Sequence, residues 1–219
     1  MKNNLIILFF LIFSLHTVNA QSIKGGVIVG TNISQVDGDL VYGFHKYGLN
    51  TGGMAMIPVY KNFSFVMEAL YNQKGSYQRP FRVNDSVKGD GMYKLVLNYL
   101  DVPMYINLYD PKGKMNFGLG MSYGRLTQFS EWEDSKKVNW PPDSIPYKTT
   151  DVDYFFNAMF PVYKGLKLNL RYSYSIASIR TRTFKTGVTM KQYHNLITIR
   201  LVYIFGEKPD ETTSKKKRK

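Results

Sequence analysis

Apolar and polar residues alternate without interruption over residues 166–176, and this alternation constrains the fold more than any other feature of the chain. Successive side chains of a β-strand point to opposite faces, so the segment has one apolar and one polar face. Residues 115–123 repeat the pattern. Looser alternation marks six further candidate strands, at residues 23–33, 47–59, 63–71, 95–108, 152–162 and 195–205. The pattern predicts eight strands, most of them close to the about 9 to 11 residues with which a tilted strand crosses a membrane.

The connections between these strands alternate in length. Long polar segments follow the first, third, fifth and seventh strands, at residues 34–46, 72–94, 131–151 and 180–194. Short turns follow the second, fourth and sixth strands, at residues 60–62, 110–113 and 163–165. Long loops at one rim and tight turns at the other are typical of outer membrane barrels with periplasmic termini. We expect an all-β fold: an eight-stranded antiparallel up-and-down transmembrane β-barrel with short periplasmic turns and long extracellular loops.

Periodicity alone leaves open which face of the barrel points outward. A soluble barrel of the lipocalin kind shows the same alternation with its apolar face inside, where it would bind a ligand. Gly118, Gly120 and Gly124 lie on the polar face, and such glycines relieve crowding inside a narrow barrel. Aromatic residues collect near strand ends on the apolar face, as in the girdles at membrane interfaces. Both features favour the membrane orientation.

The first residues have the organisation of an export signal. Lys2 precedes an apolar run at residues 5–15, and Val18-Asn19-Ala20 fits the small-residue rule for cleavage. The expected organisation is a signal peptide, an outer membrane β-barrel and a basic periplasmic tail, at residues 1–20, 21–206 and 207–219.

The amino-acid composition excludes several classes of protein. The chain of 219 residues has no cysteine, which excludes a lipoprotein anchor, a disulfide scaffold and a cysteine-bound metal centre. Its 29 Lys and Arg residues against 16 Asp and Glu residues give a formal net charge of +13. Because the export signal directs the chain out of the cytoplasm, nucleic acid is not an expected partner of this charge.

Four stretches carry a resemblance to a known family. They are Gly25-Gly26, Glu68-Ala69-Leu70-Tyr71-Asn72-Gln73-Lys74-Gly75, Asn98-Tyr99-Leu100-Asp101-Val102-Pro103-Met104 and Leu201-Val202-Tyr203-Ile204-Phe205. In these stretches the chain resembles the PorT-like outer membrane β-barrel family of Bacteroidota. The resemblance implies an eight-stranded barrel in the outer membrane, and the family pattern more often has Glu at the position of Asp101. Because these motifs are common to the family, they do not assign to this chain the role of PorT in type IX secretion.

The interior of an eight-stranded barrel is just wide enough for its own side chains to fill. Charged residues of the polar strand faces form a candidate lumen network: Glu68, Asp101, Lys167, Arg171 and Arg200. Because ionisable groups in a membrane span need partners, we expect the two carboxylates to pair with Arg171, Arg200 or Lys167. The network is interpreted as structural filling, and the alternative is a gate whose re-pairing opens a narrow ion path.

The loops and the last strand indicate partners. A basic loop is expected to face the phosphates of lipopolysaccharide through Arg180, Arg182, Lys185 and Lys191. The third loop carries Trp132 and Trp140, which would either bind a protein partner or pack over the barrel mouth.

The last strand and the residues after it carry two further signals. Leu201, Tyr203 and Phe205 resemble the insertion signal of outer membrane proteins. The basic run at residues 215–219 is either a solvated tail or a tether to an anionic periplasmic partner.

The expected function is a structural or interaction role at the cell surface, including service as an accessory to secretion or envelope assembly. No catalytic residue, cofactor or metal site is expected. A lipid-modifying enzyme is a further alternative, because His45 shares its loop with Ser34, Asp37 and Asp39. No spacing enforces a catalytic triad among these residues, since a triad is recognised by geometry.

Overall fold

The computed structural model describes residues 23–80, 91–141, 144–184 and 186–206. Its regular elements are all strands: β1 (Lys24–Asp37), β2 (Lys46–Tyr60), β3 (Phe63–Gln78), β4 (Tyr93–Asp110), β5 (Met115–Glu133), β6 (Lys136–Lys137), β7 (Thr150–Tyr163), β8 (Leu166–Ser175), β9 (Arg180–Thr183) and β10 (Thr189–Ile204). In these residues no helix is long and apolar enough to cross a bilayer. The expected signal peptide, the basic tail and Lys185 lie outside the described residues.

Eight of the ten strands in the described chain form a closed ring. Their order is β1-β2-β3-β4-β5-β7-β8-β10, with antiparallel neighbours, and β10 returns to pair with β1. The closing seam runs from Gly26 opposite Ile204 to Asp37 opposite Tyr193. Closure leaves no unpaired sheet edge in the ring. The expected eight-stranded up-and-down barrel is confirmed, and the short strands β6 and β9, which pair with β5 and β10, were not predicted.

The predicted alternation of connection lengths is confirmed. Tight turns join β2 to β3, β4 to β5 and β7 to β8, at residues 61–62, 111–114 and 164–165. The longer connections cover residues 38–45, 79–92, 134–149 and 176–188. In the second turn the Asp110 carboxylate accepts hydrogen bonds of 3.0 Å from the backbone N–H groups of Lys112 and Gly113. An Asp side chain that accepts hydrogen bonds from the backbone in this way stabilises a tight turn.

The ring strands extend further at the loop end than the alternation predicts. β3 continues past its predicted end at residue 71 to Gln78, and β5 continues past residue 123 to Glu133. β4 begins at Tyr93, inside a predicted loop. The apolar alternation stops earlier because the outward side chains become polar there while the backbone hydrogen-bond ladder continues. Parts of the predicted loops are therefore strand.

The polar face of the barrel points inward. In β4 the outward residues are 38–56% exposed: Leu100, Val102, Met104, Ile106 and Leu108. Asp101, Tyr105 and Asn107, which alternate with them, are buried. Gly118 faces the same interior, since a Cβ atom there would lie 2.7 Å from Asn157 and 2.8 Å from the ring of Tyr105. The soluble lipocalin-like alternative is wrong, because its apolar face would have to be inside.

Aromatic side chains bound the outward apolar band at both ends. Near the loop end they include Tyr123, Tyr154 and Tyr172, and near the turn end Phe63, Tyr163, Tyr203 and Phe205. Beyond the loop-end belt, three amide side chains form a ladder on the outer wall. Gln73 donates to Asn98 and Asn98 donates to Gln128, both over 3.1 Å. A row of paired polar groups replaces apolar ones at this level, so the barrel projects past the membrane at its extracellular end.

Candidate functional site

The lumen is filled by buried side chains, both polar and apolar. An apolar cluster in it consists of Ile28, Met54, Met56, Val66, Leu70, Tyr105, Phe155, Met159, Val202 and Ile204. Its members come from six different strands of the ring, because inward positions recur at every second residue of each strand. The cluster packs against buried charge, since the guanidinium of Arg171 lies 3.9 Å from the ring centre of Phe155.

A single buried carboxylate organises the first polar layer. Glu68 accepts hydrogen bonds from Arg171 at 2.8 and 3.0 Å and from Arg200 at 2.8 Å. The hydroxyl group of Tyr105 donates to the same carboxylate at 2.9 Å. Arg200 also donates to Asn169 at 2.7 and 2.9 Å. The structure thus brings three of the five predicted network residues together, and each ion is paired as burial in a low dielectric requires.

A second polar layer surrounds the ammonium group of Lys74, which is fully buried. This group lies 2.6 Å from Asp153, 2.9 Å from Asp151 and 3.4 Å from Asp101. The hydroxyl oxygen of Ser175 lies 2.9 Å from Asp151 and 3.0 Å from Asp153, within hydrogen-bonding distance of both carboxylates. The ammonium occupies the position between carboxylates that a bound cation would take. In the described residues no group of three or more His, Asp or Glu side chains is arranged to hold a metal ion.

The expected partners of Asp101 are corrected by this layer. Asp101 pairs with Lys74, which the sequence analysis placed in a loop, and not with Arg171, Arg200 or Lys167. The reason is the extension of β3, which carries Lys74 into the lumen on the same face as Glu68. Lys167 lies 3.5 Å from Asn116, away from both carboxylates of the predicted network.

Amide side chains extend the second polar layer. Asn72 donates to Asp101 at 2.5 Å and accepts hydrogen bonds from Asn32 and Asn50 at 2.5 and 2.9 Å. A cavity of about 10 Å³ lies here, lined among others by Asn50, Asp101 and Arg171. That volume holds about one water molecule. The lumen at this level is therefore closely packed and leaves no room for a solute.

The extracellular mouth is closed by an apolar cluster and an ion-pair latch. The cluster consists of Val36, Val41, Tyr93, Leu95, Leu97, Tyr99, Tyr147 and Ile179. Above it, Glu131 accepts hydrogen bonds from Arg180 at 3.1 and 3.2 Å and from Tyr93 at 2.9 Å. Arg180 also donates to Tyr147 at 2.5 Å. Burial, together with the nearby Tyr147 and Glu131, raises the pKa of Tyr93 well above its ordinary value, so its hydroxyl group stays a donor.

The latch corrects the predicted lipopolysaccharide-facing loop. Arg180 is buried and bound to Glu131, so its charge is turned into the barrel mouth and not toward lipid. Arg182 is partly buried and pairs with both Glu131 and Glu133. Lys191 lies exposed on β10. Of the predicted basic set within the described residues, only Lys191 is exposed.

The two tryptophans do not share a loop. Trp132 lies within β5, where the ammonium of Lys94 is 4.9 Å from its ring centre, and this corrects its predicted position in the third loop. Trp140 lies in the loop after β6, half-buried, with the guanidinium of Arg180 at 5.5 Å from its ring centre. Trp140 therefore packs over the mouth, which is the second of the two roles considered for it.

The residues of the predicted insertion signal face the lipid. Leu201, Tyr203 and Phe205 are 49%, 43% and 51% exposed, and the last one follows the final residue of β10. The rings of Tyr203 and Phe205 meet edge to face with centres 5.5 Å apart. The structure thus places them on one outward stripe at the turn end, and their role in insertion stays a prediction.

The residues of the enzyme alternative are not brought together. Ser34 belongs to β1 and donates to the backbone oxygen of Gly75 at 2.9 Å, inside the lumen. Asp37 accepts a hydrogen bond from Gln35, and His45 lies exposed in the first loop. The other histidine of the described chain, His194, is fully buried with its Nε2 3.7 Å from Asp151. No nucleophile, base and orienting group form a triad among these side chains.

Several lumen residues were missed by the sequence analysis. They are Lys74, Asp151, Asp153 and Glu131. Lys74 could have been found from its spacing along the strand. It lies six residues after Glu68, and residues separated by an even number lie on the same strand face. Asp153 likewise shares its face with Asn157, which lies opposite Arg171.

The chain matches one family model and is similar to several solved structures. A family model described as the outer membrane protein beta-barrel domain matches residues 19–180. No curated protein matches the chain. Similar solved structures include Ail, the attachment invasion locus protein of Yersinia pestis, with 11% identity, a TM-score of 0.46 and coverage of 83% of this chain and 98% of that one. Neisserial surface protein A is similar with 10% identity, a TM-score of 0.47 and coverage of 83% and 98%. A major outer membrane protein from Thermus thermophilus has 10% identity, a TM-score of 0.47 and coverage of 84% and 100%.

Proposed function

The chain belongs to the outer membrane protein beta-barrel domain family and is an outer membrane protein, and from this premise we propose that it is a closed barrel presenting an interaction surface outside the cell. The observation that carries the proposal is the filled lumen, whose polar layers are paired and whose mouth is latched by Glu131 and Arg180. Because the interior of the barrel is filled with packed side chains, its loops at the rim are the part available for binding.

The extracellular loops offer apolar side chains for such contacts. Leu40 and Tyr42 in the first loop are 47% and 85% exposed. Ile145 in the third loop and Val188 in the fourth are 54% and 52% exposed. Aromatic and aliphatic side chains of this kind are the usual anchors of protein interfaces. The loops that carry them are joined to hydrogen-bonded strand extensions, and such anchoring lowers the entropy cost of binding.

Site-specific cross-linking in intact cells tests the proposal. A photoreactive amino acid at Tyr42 or Ile145 is expected to give a discrete adduct with a protein, and the same group at the lipid-facing Met121 is expected to give none. Adducts that are the same at all three positions would contradict a loop-specific interaction. Absence of adducts at the loops would favour a purely structural role.

A narrow channel is the second candidate, and planar bilayers discriminate it. The paired layers around Glu68 and Lys74 predict no steady conductance from the purified protein. Defined single-channel steps that change on substitution of Glu68 would support the gate. A lipid-modifying activity would instead change lipid A in cells that carry the gene, and would be lost on substitution of His45.

Finer assignments belong to the same proposal. The PorT-like resemblance is supported by the place of its motif residues, since Glu68, Lys74 and Asp101 all belong to the two polar layers of the lumen. A role as an accessory to secretion or envelope assembly rests on that resemblance. Lipopolysaccharide contact is proposed for Lys191, and an anionic periplasmic partner is proposed for residues 215–219, which lie outside the described residues.

A further inference from the structure

A four-residue sequence is repeated at the periplasmic rim. Pro58-Val59-Tyr60-Lys61 leads into the turn between β2 and β3, and Pro161-Val162-Tyr163-Lys164 leads into the turn between β7 and β8. Both turns span two residues between the strands they join. The function proposed above, which concerns the opposite rim, makes no use of this repeat.

The two copies have the same local structure. The strand register shifts between Pro58 and Tyr60 in one copy and between Pro161 and Tyr163 in the other. Such a bulge re-aims the residues that follow it. In each copy the valine and the tyrosine are exposed, at 56% and 61% in the first and 58% and 66% in the second.

Each copy also holds its lysine over its own tyrosine ring. The ammonium of Lys61 lies 5.0 Å from the ring centre of Tyr60. The ammonium of Lys164 lies 5.6 Å from the ring centre of Tyr163. A cation over an aromatic face is attracted by the ring quadrupole, so the charge stays at the level of the aromatic belt. We call each tyrosine and lysine pair a clamp.

The clamps lie on opposite sides of the barrel. The β2–β3 and β7–β8 junctions are four positions apart in a ring of eight strands. The β4–β5 turn, which carries Lys112 and Lys114, lies midway between them. Asp110 is the one acidic side chain in or directly beside these three turns, and its carboxylate is engaged by the backbone of its own turn. These three turns therefore carry a net positive charge.

We propose that the two clamps bind the phosphate groups of anionic phospholipids in the periplasmic leaflet. The exposed valine and tyrosine continue the apolar outer wall, so they contact acyl chains, while the lysine reaches the headgroups. Basic residues are attracted to an anionic lipid surface only when they lie close to it, and the lysines lie at the membrane interface. The wall of the barrel holds each ammonium group at the membrane interface. A soluble partner in the periplasm would not require the lysine to lie at this level.

The test uses the purified full-length barrel in two kinds of vesicle, pure phosphatidylcholine and phosphatidylcholine mixed with phosphatidylglycerol. The measured quantity is the rise in the midpoint of thermal unfolding from the first vesicle to the second. The wild type is expected to show a rise that high salt removes, because exposed charges are screened. The double variant Lys61→Gln, Lys164→Gln is expected to show a smaller rise than the wild type, since two of the four lysines in the periplasmic turns are gone while the basic residues at the end of the chain remain.

The matched control is Lys136→Gln, Lys137→Gln, which removes two exposed lysines of β6 at the extracellular end. It is expected to keep the full rise, and all three proteins are expected to unfold at the same temperature in phosphatidylcholine. A wild type without any rise overturns the proposal. That result is expected if the rim binds a protein or a cell-wall polymer and not lipid. A double variant that responds like the wild type, or a control that loses as much, overturns it as well.

Discussion

Arg200 binds the carboxylate of Glu68 through two nitrogens, at 2.8 and 3.3 Å, across 132 residues of chain. Arg171 binds the same carboxylate from another strand. One side chain of β3 thus ties β8 and β10 together through the middle of the lumen. The layer holds two cations for one anion, and the carboxylate is the only group among these three that can neutralise them.

Substitution of Glu68 by Ala is expected to destabilise the barrel strongly. It leaves two buried guanidinium groups without a counter-ion, which costs on the order of 3–5 kcal/mol in the free energy of unfolding. The measurement is the denaturant midpoint in lipid vesicles, read from the shift between folded and unfolded bands on unboiled gels.

The control for this substitution is Met67→Ala, which changes the adjacent residue on the lipid-facing side of β3, where it is 46% exposed. It is expected to cost less, because the lost surface faces acyl chains and leaves no buried ion behind. If Glu68→Ala changes neither stability nor conductance, both the structural role and the gate are wrong.

Substitution of Lys74 by Met is expected to make the stability of the barrel depend on pH in a new way. Asp101, Asp151 and Asp153 would lose the ammonium that they share, and like charges in a low dielectric repel. The folded variant would then bind protons that the unfolded chain releases, so its stability should rise as the pH falls.

The measurement is the unfolding midpoint of the Lys74→Met variant at neutral and mildly acidic pH. Lys94→Met serves as control, because that ammonium lies over the ring of Trp132 on the outer wall. Equal pH profiles of the two variants would mean that the aspartates are not held by Lys74.

The inward side of each strand could be predicted from the sequence, and the partners could not. Alternation alone places Glu68, Arg171 and Arg200 on inward faces, and the structure has all three there. Which inward residues lie at the same height depends on the stagger of neighbouring strands, a property of the closed ring that no single strand reveals. For this reason the sequence left several cations open as partners of Asp101, and Lys74 was not predicted.

The loop end was the hardest part to predict, for a related reason. Below the amide ladder the outward residues must be apolar, so the strand pattern is visible. From the ladder onward, Gln73 takes an outward position in place of an apolar residue, and the strand is specified mainly by its inward side. Lys74 and Glu131 occupy that inward side, where polar residues resemble those of a loop.

Substitution of Glu131 by Gln is expected to loosen the mouth and leave the rest of the barrel intact. The change keeps the shape of the side chain but leaves Arg180 buried without its counter-ion. Backbone amides of residues 176–184 should exchange with solvent several-fold faster, while those of β3 should keep their protection.

Glu133→Gln is the matched control for the latch. Glu133 shares Arg182 with Glu131, but its side chain is 40% exposed against 1% for Glu131. A solvent-screened pair contributes little, so exchange in residues 176–184 should be nearly unchanged. Equal acceleration by the two variants would show that burial does not decide the strength of the latch.

The first loop is expected to become less stable as the pH rises from about 4 to about 6. Burial raises the pKa of Asp39 to about 6, against an ordinary value of 3.8, while its carboxylate accepts a hydrogen bond from the Val41 amide at 2.8 Å. In this range the open loop releases a proton that the closed loop retains, so opening becomes easier by at most about 3 kcal/mol. Above pH 6 both forms are ionised and the effect is complete.

Hydrogen exchange of the Val41 amide, corrected for the intrinsic effect of pH, measures this opening. Asp39→Asn keeps an oxygen that can accept the amide hydrogen bond but cannot ionise, so protection of Val41 should stay constant from pH 4 to 7. Asp134→Asn, in the third loop, is the control and should keep the wild-type profile at Val41. A wild-type profile that is already flat would mean that the carboxyl of Asp39 is ionised without cost, and that the loop over the barrel mouth is open to water.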